Sequence, residues 1–180
     1  MLIDNEEVVS TTRRWLEKAV IGLNLCPFAE RAYRADRVRF FVSEQRSAAG
    51  LLRDLRSELL VLDAADPSDC ETALLIHPLV LNDFLEYNDY LDVCEAMVGE
   101  LGLEGELQVA SFHPQYQFAG TQSEDIENYT NRSPYPMLHL LREASVERAI
   151  AAVGDTDEIY RRNIRTLREL GHAGWRRLWI

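Results

Sequence analysis

The sequence predicts an α/β domain: a small, mainly parallel three-stranded sheet, a βαβαβ core, with an N-terminal helix and two or three C-terminal helices packed on it. Residues 38–43, 72–77 and 107–112 are rich in β-branched, aromatic and leucine side chains and read as strands. The stretches between them repeat their apolar residues at helical spacing. Strands joined through helices need crossover connections, and crossovers give parallel pairing. The chain has 180 residues, the size of one domain, so residues 1–180 are expected to share a single core.

Taken in order, residues 4–23 place Val8, Val9, Thr12, Trp15, Leu16, Ala19, Val20 and Leu23 on one helical face, with Asp4 or Asn5 available to cap the free amides. Pro27 excludes α geometry for Cys26, which therefore lies beyond the helix in extended backbone. Strand 38–43 precedes a helix that starts at Ser47, carries the stripe Leu51, Leu52, Leu55, Leu59 and Leu62, and ends in the turn cluster 66–69. The unbroken apolar run 73–76 marks 72–77 as the central strand, covered on both faces. A third helix spans about 82–101, with Gly102 as its stop, and leads to strand 107–112. Residues 134–153 and 155–170 are expected as two more helices, the first with Ser133 as N-cap and Pro134 at its first position, the second with an Asp155 and Glu158 capping box. The tail 171–180, holding Trp175 and Trp179, is expected to dock on its own domain or on a partner subunit in a homodimer.

Composition narrows the function. The net charge of -11, from 30 acidic and 19 basic side chains, repels a phosphate backbone, so no nucleic acid partner is expected. Lys18 is the only lysine, an arginine bias from which no function follows. No apolar run is long enough to span a bilayer, and an acidic N-terminus is unlike a signal peptide. A cytoplasmic protein without membrane attachment is the expectation. Cys26, Cys70 and Cys94 form no C-x-x-C pair and are read as reduced thiols.

Ligands of open parallel sheets bind beyond the carboxyl ends of the strands. His77 and His113 fall there, each followed by proline, and would share one sheet edge if their strands were neighbours. The structural alternative is a ring that bonds a backbone carbonyl at a strand end. About twenty residues without periodicity follow, and a loop that long in a compact domain is usually functional. Its aromatics Tyr116, Phe118 and Tyr129 argue for order, and a lid or binding loop is expected. Asn131, Arg132 and Ser133 close it. Helix amides after Ser133 beside an arginine would make an anion site, whereas the plain alternative is a capped helix with a surface arginine.

Cys26 is a candidate nucleophile or redox thiol, against the alternative of a buried small hydrophobe; at the end of a helix, activation must come from His113, Arg132 or another residue brought near. Cys94 reads as core. His77, His113, Cys26, Asp125 and Glu127 could assemble around a metal, but no pair has a diagnostic spacing, so no metal ligand is assigned and the cofactor is left open. His139 and Glu143, four apart on the expected helix, share a face and suit either a pair supporting a site from behind or, the plainer reading, a solvated ion pair.

Three stretches carry a resemblance: Gly-Leu-Asn-Leu-Cys-Pro-Phe-Ala at 22–29, Ser-Phe-His-Pro-Gln-Tyr-Gln-Phe-Ala-Gly at 111–120 and Glu-Asn-Tyr-Thr-Asn-Arg-Ser-Pro-Tyr-Pro-Met-Leu-His-Leu-Leu-Arg-Glu at 127–143. They resemble a bacterial family known as a domain of unknown function, number fourteen-fifteen, over about residues 11–150. That resemblance implies a cytoplasmic bacterial protein and no reaction type. Cys-Pro-Phe-Ala is also similar to the active-site turn of glutaredoxin and glutathione-transferase-like folds, but that turn follows a strand, and the residues before Cys26 are helical in pattern.

The function expected from these residues is an enzyme acting on a small anionic metabolite, a carboxylate or phosphate. His113 would be the acid or base, Cys26 the nucleophile, and Arg132, Asn131, Ser133, Tyr129, Tyr116 and His77 the binding residues. A non-catalytic ligand-binding or assembly domain is the first alternative, and a metal-dependent or thiol-redox enzyme the second. All three need Cys26, His113 and Arg132 to converge on one cavity.

Overall fold

A computed structural model describes residues 3–153 and 156–180. Helix α1, Asn5–Trp15, starts where the Asp4 carboxylate accepts the amides of Glu6 and Glu7, and it buries Val8, Thr12 and Trp15. The coil then widens into a π turn, Leu16–Ile21, a feature often found at functional sites. Gly22 follows it, where a Cβ would clash with the Lys18 carbonyl oxygen. Asn24 turns the chain through left-handed backbone (φ 53°), and a six-residue helix absent from the sequence reading, α2, Ala29–Arg34, follows.

Strand β1 is Val38–Val42, and α3, Ala48–Ala64, is capped by Ser47 as its sequence requires. Strand β2, Thr72–Ile76, is buried throughout. Helix α4, Phe84–Glu100, is capped by Asp83 and stops at Gly102 (φ 68°), and β3 is Leu107–Phe112. The loop that follows contains one short 3-10 turn, Ile126–Thr130. Strand β4 is Met137–Arg142, α5 is Glu143–Val153, and α6, Thr156–Arg177, breaks at Gly171 (φ 62°, ψ 173°). Asp155, half of the expected capping box, lies outside the described residues.

The sheet has four strands in the order β1-β2-β4-β3. β1 and β2 are parallel, while β4 runs antiparallel to both β2 and β3. The α/β class holds, and the three-stranded, mainly parallel sheet is corrected to a mixed four-stranded one. β1, β2 and β3 do run in one direction, as their helical connections require; the error is the strand inserted between β2 and β3. The sequence reads residues 137–142 as helix because Ser133-Pro134 imitates a helix entrance. Ser133 caps no helix: its hydroxyl donates to the Tyr135 carbonyl at 2.7 Å.

Alternation along the central strands sorts two cores. Ala73, Leu75, Leu138 and Leu140 meet the leucine stripe of α3 and Tyr87, Cys94 and Val98 of α4. On the other face Leu74, Ile76 and Met137 meet Val8, Trp15, Ala19, Val20, Leu167 and Trp175. Each fully buried leucine contributes roughly 1.5–3 kcal/mol. The tail docks on its own domain through Trp175, whose ring lies 5.0 Å from that of Tyr129. Among the described residues no helix is long and apolar enough to cross a membrane.

Candidate functional site

A cavity of ≈ 280 Å³ opens on the second face of the sheet. The π turn supplies Leu16 and Val20, the segment after it Cys26, Phe28 and Tyr33, the sheet Thr72, Leu74, Phe112 and His139, and α5 Val146 and Ala149. Its walls are mostly apolar, and the exposed Arg31 and Arg148 stand with Glu71 at its margin. His139 on β4 and its register partner Leu74 on β2 both line the cavity, and α5 adds the small Ser145, Val146, Ala149 and Ala152 besides Arg148.

His139 is held by one bond. The Thr72 hydroxyl lies 2.8 Å from Nε2 and 2.6 Å from the Leu140 carbonyl oxygen. A hydroxyl has one proton, and the carbonyl can only accept, so Thr72 donates to Leu140 and His139 Nε2–H donates to Thr72. Nδ1 is left as an acceptor with no protein partner among the described residues. Burial lowers the ring to a pKa of about 4, which makes it neutral near pH 7.

Cys26 lines the same cavity. Burial pushes its thiol up, and this outweighs the backbone amides of Phe28 and Ala29 and the more distant Arg162, which pull the other way. The resting group is therefore the thiol. Asn163 fixes the turn by donating to the Leu25 carbonyl at 2.8 Å, and Arg162 donates to the Asn24 carbonyl at 2.7 Å.

The sequence-predicted residues do not all meet here. His113 and Arg132 line neither the cavity nor its margin. His77 and His113 do reach one sheet edge, with β4 between their strands, and both stack against Tyr87 at centroid distances of 5.8 and 5.0 Å. Each is fully buried and bonded to a carbonyl, His77 Nδ1 to Val80 at 2.9 Å and His113 Nε2 to Leu81 at 3.2 Å. His113 Nδ1 accepts the Gln115 amide at 3.0 Å, so neither nitrogen is free for proton transfer. These rings hold a tight turn in which Leu81 adopts left-handed backbone (φ 57°).

Arg132 faces the loop rather than an anion: it donates to the carbonyls of Tyr116 and Ser123 and stacks 4.4 Å from the centroid of Tyr129. Asn131 donates to the Ser111 carbonyl at 3.1 Å. Tyr116 packs on Phe84 and Phe118, and Tyr129 on Trp175 and His172. The expected binding loop is thus pinned by its own residues, with Asn128 buried at its centre. The metal grouping also separates, for Asp125 accepts the Gln122 amide while Glu127 pairs with Arg168 at 2.7 Å. Among the described residues no cluster of three potential metal ligands occurs.

The family described as "Protein of unknown function (DUF1415)" matches residues 7–177. This chain belongs to that family. The DUF1415 match runs past the 11–150 stretch that carried the resemblance and takes in most of α1 and all of α6, so every element around the cavity lies inside it. No curated protein and no solved structure matches the chain. Within 127–143 the helix reading pairs His139 with Glu143, whereas a strand reading of Met-Leu-His-Leu-Leu-Arg places one imidazole amid an apolar run.

Proposed function

We propose that this protein is an enzyme acting on a small anionic metabolite, a carboxylate or phosphate with a largely apolar body, held in the cavity between the sheet and the segment 22–33. One observation carries the reading: a thiol and an imidazole with an unpartnered nitrogen line the same ≈ 280 Å³ cavity. The acid-base role expected of His113 passes to His139. Its Nδ1 accepts a hydrogen bond from a substrate O–H or N–H, and Thr72 holds the ring in that tautomer. A bound anion nearby stabilises the imidazolium and moves the ring's low pKa toward the range where proton transfer is efficient. Cys26 supplies the nucleophile once a base removes its proton.

A second reading, binding without turnover, is favoured by the resting charges, since burial holds both groups neutral. Incubation with a panel of small carboxylates and phosphates, followed by mass spectrometry, separates the two. Turnover by the wild type that is lost in His139→Gln and in Cys26→Ala supports the enzyme. Undiminished turnover in Cys26→Ala removes the thiol, and saturable binding without product favours the second reading.

A further inference from the structure

The mouth of the cavity has an electrostatic character that its walls lack. A second hollow of ≈ 210 Å³ shares Arg31, Glu71 and Arg148 with the cavity and adds Arg37, Pro67 and Ser68. Three guanidiniums therefore converge in a protein whose net charge is -11. Two acidic groups face them. Glu71 stands 3.9 Å from Arg148, and Asp66, beyond the rim, binds the Ser68 amide at 2.7 Å while remaining close enough to Arg37 to feel its charge. Arg31 and Arg37 make no side-chain hydrogen bond or ion pair to any described residue. Such an arrangement suits two or more oxygens of one anion.

We infer that the ligand is an amphipathic anion, lying with its apolar end against Phe28, Leu74 and Phe112 and its carboxylate or phosphate on Arg31, Arg37 and Arg148. This rests on the cavity being the ligand site and adds the orientation and class of what enters it. The ≈ 280 Å³ is roughly nine water volumes at about 30 Å³ each, the room of a medium acyl chain or one substituted aromatic ring. The head group stays at the surface, where the charge keeps part of its hydration, and the chain gains about 0.8 kcal/mol for each CH₂ taken from water.

Calorimetric titration with octanoate, octyl phosphate and 1-octanol tests the head group and the cavity separately. The expected result is that both anions bind at least tenfold more tightly than the alcohol and weaken with added salt. Arg31→Gln with Arg37→Gln should bring the anions to the level of 1-octanol and leave the alcohol unchanged. Neither side chain makes a hydrogen bond or ion pair to a described residue, so this variant should melt like the wild type; Arg148→Gln, examined in the same way, guards against an unfolded double variant. Equal binding of anion and alcohol overturns the head-group assignment and spares the cavity. Failure of all three compounds to bind overturns the cavity reading as well.

Discussion

Two side chains set the chemistry available in the cavity, and both are held neutral by the same cause. For Cys26, burial exceeds the help that two backbone amides give the thiolate, so alkylation by iodoacetamide should show a midpoint above the ordinary thiol value of about 8.5. A midpoint near 7 would mean that something in the cavity activates the thiol. For His139, the bond to Thr72 fixes which nitrogen is open. Thr72→Val keeps the shape but removes the acceptor and should cost about 1–3 kcal/mol in urea unfolding, with Thr72→Ser recovering most of it. Equal stability of the two variants would show that the hydroxyl does not hold the ring.

At the scale of elements, the cavity depends on α6 gripping the turn before Cys26 through Asn163 and Arg162. Asn163→Ala should lose about 1–3 kcal/mol and speed Cys26 alkylation at every pH without moving its midpoint. An unchanged rate would show that the turn keeps its position without α6. The elements that the sequence made legible are those with a strong local signature: the Asp4 and Ser47 caps, the all-apolar β2, and the left-handed Gly102 after α4. β4 was hidden because six apolar-rich residues after Ser-Pro suit a helix start as well as a strand, and only the need of β2 for a partner on each side decides between them. The site suffered accordingly. Cys26 stood out beside Pro27, whereas His139 was assigned to a solvated helix face. His77 and His113 drew attention at strand ends, but the carbonyls that bind them come from a turn no local pattern announces.

For the whole molecule, the buried imidazoles of His77 and His113 and the partly buried ring of His139 shape the response to acid. Burial lowers His77 and His139 to about 4 and shifts His113 in the same direction. Unfolded histidine titrates near 6.5. Between these values the unfolded chain binds protons that the folded chain refuses, so this contribution is complete above about pH 6.5 and is lost as pH falls toward 4. The carboxyl of Glu127, lowered by Arg168, adds a further loss below its ordinary value of 4.5. Unfolding free energy from urea curves should be flat from pH 8 to 7 and fall steadily below, less steeply in His139→Gln; a slope unaltered by that variant would mean that His139 is not buried as a neutral ring. The central claim, that a ligand enters the cavity shared by Cys26 and His139, is tested most directly by competition on the thiols. With octanoate titrated in and alkylation followed residue by residue, Cys26 should be protected saturably, the half-buried Cys70 should react as before, and the cavity-filling Ala149→Trp should abolish the protection. Cys26 reacting at one rate with and without the anion, or Cys26 and Cys70 slowing together, would contradict it.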